Sequence, residues 1–143
     1  MTAPDSFDTA RLTTRIAQAA EIDELGHVNN AVYVAWLQDA STAHWFSVVE
    51  EPLASAVHWV CLRHEIDYRE PVLEGGTVEI RAWLGKASGP RFDRHFDIRK
   101  PGAKRFSCQA VTTWLQLNSA TGRPKRVSDD VLSLFGLDPA KHR

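Results

Sequence analysis

Asp23-Glu24-Leu25-Gly26-His27-Val28-Asn29-Asn30-Ala31-Val32-Tyr33 is the stretch on which the reading of this chain turns. A carboxylate stands ahead of a glycine turn, and the turn runs into a helix start. Asn29 or Asn30 suits the N-cap, because a short amide oxygen can accept a first-turn N–H. From Asn30 to about Val49 the chain reads as one helix, with Tyr33, Trp36, Leu37 and Ala40 at helical spacing. Its first two turns, Ala31 to Leu37, are apolar almost all round, which predicts burial on most sides. Pro52 follows its end.

Strand patterns lie on both sides of this helix. Residues 12–20 read as a strand with a signal diluted by alanines. Residues 57–69 form a long extended run ending at Pro71. In 77–84, Val78, Ile80, Ala82 and Leu84 alternate with Glu79, Arg81 and Trp83. In 91–99, Phe92, Phe96 and Ile98 stand opposite Asp93, His95, Asp97 and Arg99. Residues 104–118 read as the longest strand. Glu74-Gly75-Gly76, Ser88-Gly89-Pro90, Lys100-Pro101-Gly102 and Thr121-Gly122-Arg123-Pro124 supply the turns. Ser128 caps a short helix from Asp129 to about Phe135, ended by Gly136. The order predicts an α+β fold with a five-stranded antiparallel sheet and one long helix. One helix covers one face of such a sheet, so the other face is solvated or covered by a partner. Trp83 on the outward side of its strand points to a partner.

A chain of 143 residues is expected to form one domain, 1–143, with residues 1–9 as a loose arm. The net charge of −1 provides no field for nucleic acid or an anionic membrane. Met1 to Thr9 lacks the pattern of a signal peptide, no apolar run approaches a membrane span, and a cytoplasmic setting is expected. Cys61 and Cys108 sit among apolar neighbours without redox or metal spacing, and read as small core residues. The histidines show no metal-binding pattern, so neither a metal nor a cofactor is expected.

Asp23-x-x-Gly26-His27-Val28-Asn29-Asn30-Ala31-x-Tyr33-x-x-Trp36, with the element order, resembles the hotdog-fold acyl thioesterases. The branch is the one that includes 4-hydroxybenzoyl-CoA thioesterase. In that fold a curved antiparallel sheet wraps around one long central helix. Tyr68-Arg69-Glu70-Pro71-Val72 and Thr113-Trp114-Leu115 add weaker matches. The resemblance implies hydrolysis of an acyl-CoA thioester to a carboxylic acid and CoA. Asp23 corresponds to the catalytic carboxylate, as nucleophile or as general base for water. The backbone N–H of Asn30 corresponds to the oxyanion donor. It also implies a homodimer or homotetramer with active sites at the interface. Two positions depart from relatives. Leu25 stands where plant acyl-carrier-protein thioesterases have Asn, which favours CoA as carrier. Ser41 stands where many bacterial relatives have Arg.

The remaining motif residues carry smaller roles. Gly26 permits a tight or left-handed turn that brings Asp23 back towards the helix. His27 either fixes the loop by hydrogen bonding or serves as acid for the leaving thiolate. Asn29 fixes the loop through its amide, Tyr33 packs under the sheet, near the acyl pocket at most, and these two are the candidate substrate-binding residues. Arg99, Lys100, Lys104 and Arg105, or Lys86, Arg91 and Arg123, could meet the phosphates of CoA. Two other readings stay open: a non-catalytic acyl-CoA-binding hotdog module, and a hotdog enoyl-CoA hydratase using Asp23 with His27.

Overall fold

The computed structural model describes residues 6–143. Five strands, β1 (Arg11–Ile16), β2 (Val57–Tyr68), β3 (Thr77–Ser88), β4 (Arg91–Arg99) and β5 (Cys108–Asn118), form one antiparallel sheet in the order β1-β3-β4-β5-β2. Helix α1 (Asn30–Val48) packs across its inner face. Two short helices, α2 (Leu53–Ala56) and α3 (Asp129–Leu134), close one end. This is the hotdog arrangement, and the α+β class is as expected.

Two apolar clusters hold α1 to the sheet. Tyr33, Trp36, Leu37 and Ala40 meet Val78, Ile80, Phe96, Ile98 and Cys108 near the start of the helix. Trp45 and Val49 meet Leu84, Phe92, Val131, Leu132 and Phe135 near its end. Burying each large side chain stabilises the fold by about 1.5–3 kcal/mol before the entropy of ordering it is charged.

Several boundaries differ from the sequence reading, each for a local reason. β1 stops at Ile16 because Glu21 Oε1 accepts the Gln18 N–H at 2.9 Å and folds Ala19–Glu21 into a 3-10 turn. β3 runs on to Ser88 through a bulge between Leu84 and Ala87. β5 begins at Cys108, not at 104, because the turn after Lys100 continues to Phe106. α3 ends one residue early, at Leu134. The first turns of α1 are less enclosed than their composition predicts, since Ala31 and Ala35 are exposed. Cys61 is not a core residue. It lies half-exposed on the edge strand β2, while Cys108 is buried, and both are free thiols. Of the expected arm, residues 1–5 lie outside the described residues. Phe7–Thr9 forms a 3-10 turn whose Phe7 ring lies 4.3 Å from the Arg81 guanidinium carbon and 4.7 Å from that of Arg99. Trp83, on the outward face, stacks on His95 with ring centroids 5.6 Å apart.

Candidate active site

The segment between β1 and α1 is built almost entirely from backbone hydrogen bonds. Ile22 and Val28 form an antiparallel bridge that closes the Asp23–His27 turn at its base. Within it, the Asp23 N–H donates to His27 O at 2.7 Å and the Gly26 N–H to Asp23 O at 3.0 Å. Gly26 has φ 83°, a left-handed conformation that costs a side chain about 1–2 kcal/mol, which is why glycine stands there.

The Asp23 carboxylate is oriented by that turn. Its Oδ1 accepts the N–H of Leu25 at 2.9 Å and of His27 at 3.2 Å. Among the described residues, Oδ2 accepts no hydrogen bond. One oxygen is therefore fixed by structure, and the other is available to a water or an electrophile. The Asp23 and His27 side chains do not bond to each other; His27 is tied to Asp23 through its backbone.

Asn29 is the N-cap, and its Oδ1 accepts the Ala31 N–H at 2.9 Å. Its own N–H donates to Glu21 O at 2.9 Å, which ties the helix start to the preceding loop. Glu21 reaches further: its Oε2 accepts the indole N–H of buried Trp36 at 2.8 Å. Asn30 is the first residue of the helix, and its backbone N–H has no acceptor among the described residues. A free N–H there carries the positive end of the helix dipole. Tyr68 donates its hydroxyl to Asn30 O at 3.3 Å, so β2 also holds the helix start.

Tyr33 lies in the core, 3% exposed, between the rings of Trp36 and Tyr68. Burial first, then Cys108 and Tyr68, pushes its pKa up to about 12, so its hydroxyl keeps its proton at neutral pH. The sequence thus brings Asp23, Gly26, His27, Asn29 and Asn30 into one loop and places Tyr33 behind it. Among the expected phosphate-binding cations, Arg99 is engaged by Asp97, and Lys86 donates to Lys141 O at 2.7 Å.

A second feature lies along the other half of α1. A cavity of about 590 Å³ is lined by Ser41 and Trp45 of α1, Trp59 of β2, Phe92 and Arg94 of β4, and Phe135. Ser41 is eleven positions beyond Asn30, about 16 Å along the helix. None of the six motif residues lines this cavity. Arg94 escaped the sequence reading, although one signal was present. It falls in phase with Phe92, Phe96 and Ile98, a cation in an otherwise apolar row.

Residues 17–135 match the thioesterase-like superfamily. The chain belongs to that superfamily. Solved relatives share the architecture of this thioesterase-like chain. TT1821 from Thermus thermophilus superposes with a TM-score of 0.75 at 20% identity, covering 87% of this chain and 96% of that one. Slr0204, a 1,4-dihydroxy-2-naphthoyl-CoA thioesterase from Synechocystis, gives 0.73 at 14% identity, covering 87% and 94%. The 12:0-ACP thioesterase from Umbellularia californica gives 0.76 at 18% identity, covering 92% and 50%. At these identities the likeness is one of fold. The Mycobacterium tuberculosis protein MT2057 is 23% identical over 124 residues, which are 86% of this chain and 48% of that protein. The chain spans about half the length of the curated relatives it matches.

Proposed function

We propose that this thioesterase-like chain hydrolyses an acyl-CoA thioester, with Asp23 as the reacting carboxylate and the Asn30 backbone N–H as oxyanion donor. The observation that carries this reading is the pairing of two unused groups in one loop: Oδ2 of an oriented aspartate and the free N–H that opens α1. In the general-base form, Asp23 takes a proton from water as the oxygen adds to the thioester carbonyl. The tetrahedral oxyanion forms against the Asn30 N–H. Its collapse breaks the C–S bond, and the departing thiolate takes the proton back from Asp23. In the nucleophilic form, Asp23 first expels the thiolate as a mixed anhydride, which water then opens. A single backbone donor of this kind is worth about 10²–10³ in rate.

A second copy completes the reading. β2 is an edge strand of 12 residues with Val60 and Leu62 exposed, and it runs from the far end of α1 back to Asn30 through Tyr68. Pairing two such edges covers this apolar surface and brings a partner beside each helix start. The hydratase reading needs an Asp–His dyad, and no Asp23–His27 side-chain bond supports it.

The test is thiol release from short, long and aromatic acyl-CoAs and from acyl carrier protein thioesters, with Asp23→Asn alongside. Asparagine keeps an oxygen for the Leu25 and His27 N–H groups but loses the base. We expect kcat to fall about 10²–10⁴-fold with the fold intact. A near-normal rate in Asp23→Asn sinks the assignment. Acyl-CoA binding without thiol release from any substrate would make the chain a binding module.

A further inference from the structure

Arg94 occupies a position where charge is costly. It sits 7% exposed on the helix-facing side of β4, between Phe92 and Phe96. A guanidinium taken out of water needs a compensating anion or a full set of acceptors. Among the described residues Arg94 forms no ion pair. Its side chain makes one hydrogen bond among them, from Nη1 to His44 Nδ1. His44 is itself buried, edge-on to Phe135. Burial, then the charges of Arg94 and Arg11, pushes its pKa down to about 3. It is therefore neutral at neutral pH and offers Arg94 a lone pair but no negative charge. Burial and then Arg11 lower the Arg94 pKa to about 10, which leaves the guanidinium charged.

The surroundings show what is missing. Arg94 lines the cavity of about 590 Å³ with Trp45, Trp59, Phe92, Trp114 and Phe135. In the same lining the Trp59 Nε1–H is buried and has no acceptor among the described residues. The acidic residue of the lining, Glu51, is exposed, and its Oε2 is taken by the hydroxyl and N–H of Ser55. The cavity thus holds an uncompensated cation and an orphaned donor, with aromatic faces around them. Its volume is that of a small-molecule site.

We propose that this cavity binds an organic acid with a flat apolar body, its carboxylate paired with Arg94 and its ring held among the tryptophans. The fork of the guanidinium matches a carboxylate in two parallel hydrogen bonds. The carboxylate can belong to a free acid or to the remote end of an acyl group whose thioester lies elsewhere. The second source rests on the proposed thioesterase activity and the first does not.

The test is calorimetric titration of cinnamate and of cinnamamide, its uncharged isostere, into the wild-type protein, Arg94→Met and Asp23→Asn. Wild type and Asp23→Asn should bind the acid at least about tenfold more tightly than the amide, the effect of a charge-assisted hydrogen bond. Arg94→Met, checked for folding by circular dichroism, should bind the two alike. Equal affinity for acid and amide in the wild type, or binding of neither, overturns the proposal without reference to any variant. Thiol release from 11-(4-carboxyphenyl)undecanoyl-CoA and 11-phenylundecanoyl-CoA, whose acyl groups are long enough to span the about 16 Å from Asn30 to the cavity, separates the sources. A preference for the carboxylated substrate that Arg94→Met abolishes assigns the carboxylate to the acyl group. Equal turnover, or no turnover of either, with tight cinnamate binding assigns it to a free acid.

Discussion

Replacing His44 by glutamine should make this protein more tolerant of acid. His44 is 5% exposed, and its pKa falls from the ordinary 6.5 to about 3 in the folded chain, through burial first and then through Arg94 and Arg11. Between those values the unfolded chain binds the imidazole proton and the folded chain does not. Stability is therefore complete above pH 6.5 and declines as the pH falls from there towards 3. The slope is about 1.4 kcal/mol per pH unit, so lowering the pH from about 7.5 to about 5 removes about 2 kcal/mol through this one group. For a chain of this size that is a drop in Tm of roughly 4–8 °C. Glutamine cannot titrate, yet its amide oxygen can still face Arg94. Urea unfolding of both proteins at the two pH values isolates the contribution, since carboxylates and the depressed His95 act equally in each. His44→Gln should lose about 2 kcal/mol less than wild type over that interval. Identical losses would mean that His44 takes up its proton inside the folded protein, and would refute the neutral, buried His44–Arg94 contact.

Two further predictions concern stability. Asp23→Ala removes the acceptor of the Leu25 and His27 N–H groups, whereas Asp23→Asn keeps it; at about 0.5–1.5 kcal/mol per bond, alanine should lower Tm by several degrees and asparagine hardly at all, as differential scanning fluorimetry would show. Asp97, fully buried, is bound by Arg99 Nε at 2.7 Å, Arg99 Nη2 at 2.8 Å and Gln109 Nε2 at 2.7 Å. Asp97→Ala leaves those donors unpaired and should cost about 3 kcal/mol in chemical denaturation, the low end for a broken buried pair because Arg99 retains some access to water.

The site loop was legible because its bonds are short-range. Asp23, Gly26, His27, Asn29 and Asn30 lie within eight positions, and their turn and cap are closed largely by hydrogen bonds inside that span. What the residues did not disclose is that Glu21 anchors this loop to α1, since an ordinary acidic residue carries no mark of a bond to Trp36 fifteen positions on. Asp97 looked like an outward strand residue and proved fully buried, because Arg99 and Gln109 close over it.

By itself, then, the sequence determined the α+β class, the long helix and its capped start, the alternation of β3, and the loop that carries Asp23. All of these follow from backbone geometry and side-chain period over a few residues. Only the tertiary structure decided the strand order β1-β3-β4-β5-β2, the docking of Phe7 on Arg81 and Arg99, and the meeting of Arg94 with His44, fifty positions apart, in a cavity walled by tryptophans. These depend on which distant surfaces pack together, and such contacts leave no periodic signal along the chain. A cation in an apolar row shows that something must compensate it. Where that cation lies, and that no carboxylate among the described residues reaches it, is settled only when the strands and helix are assembled.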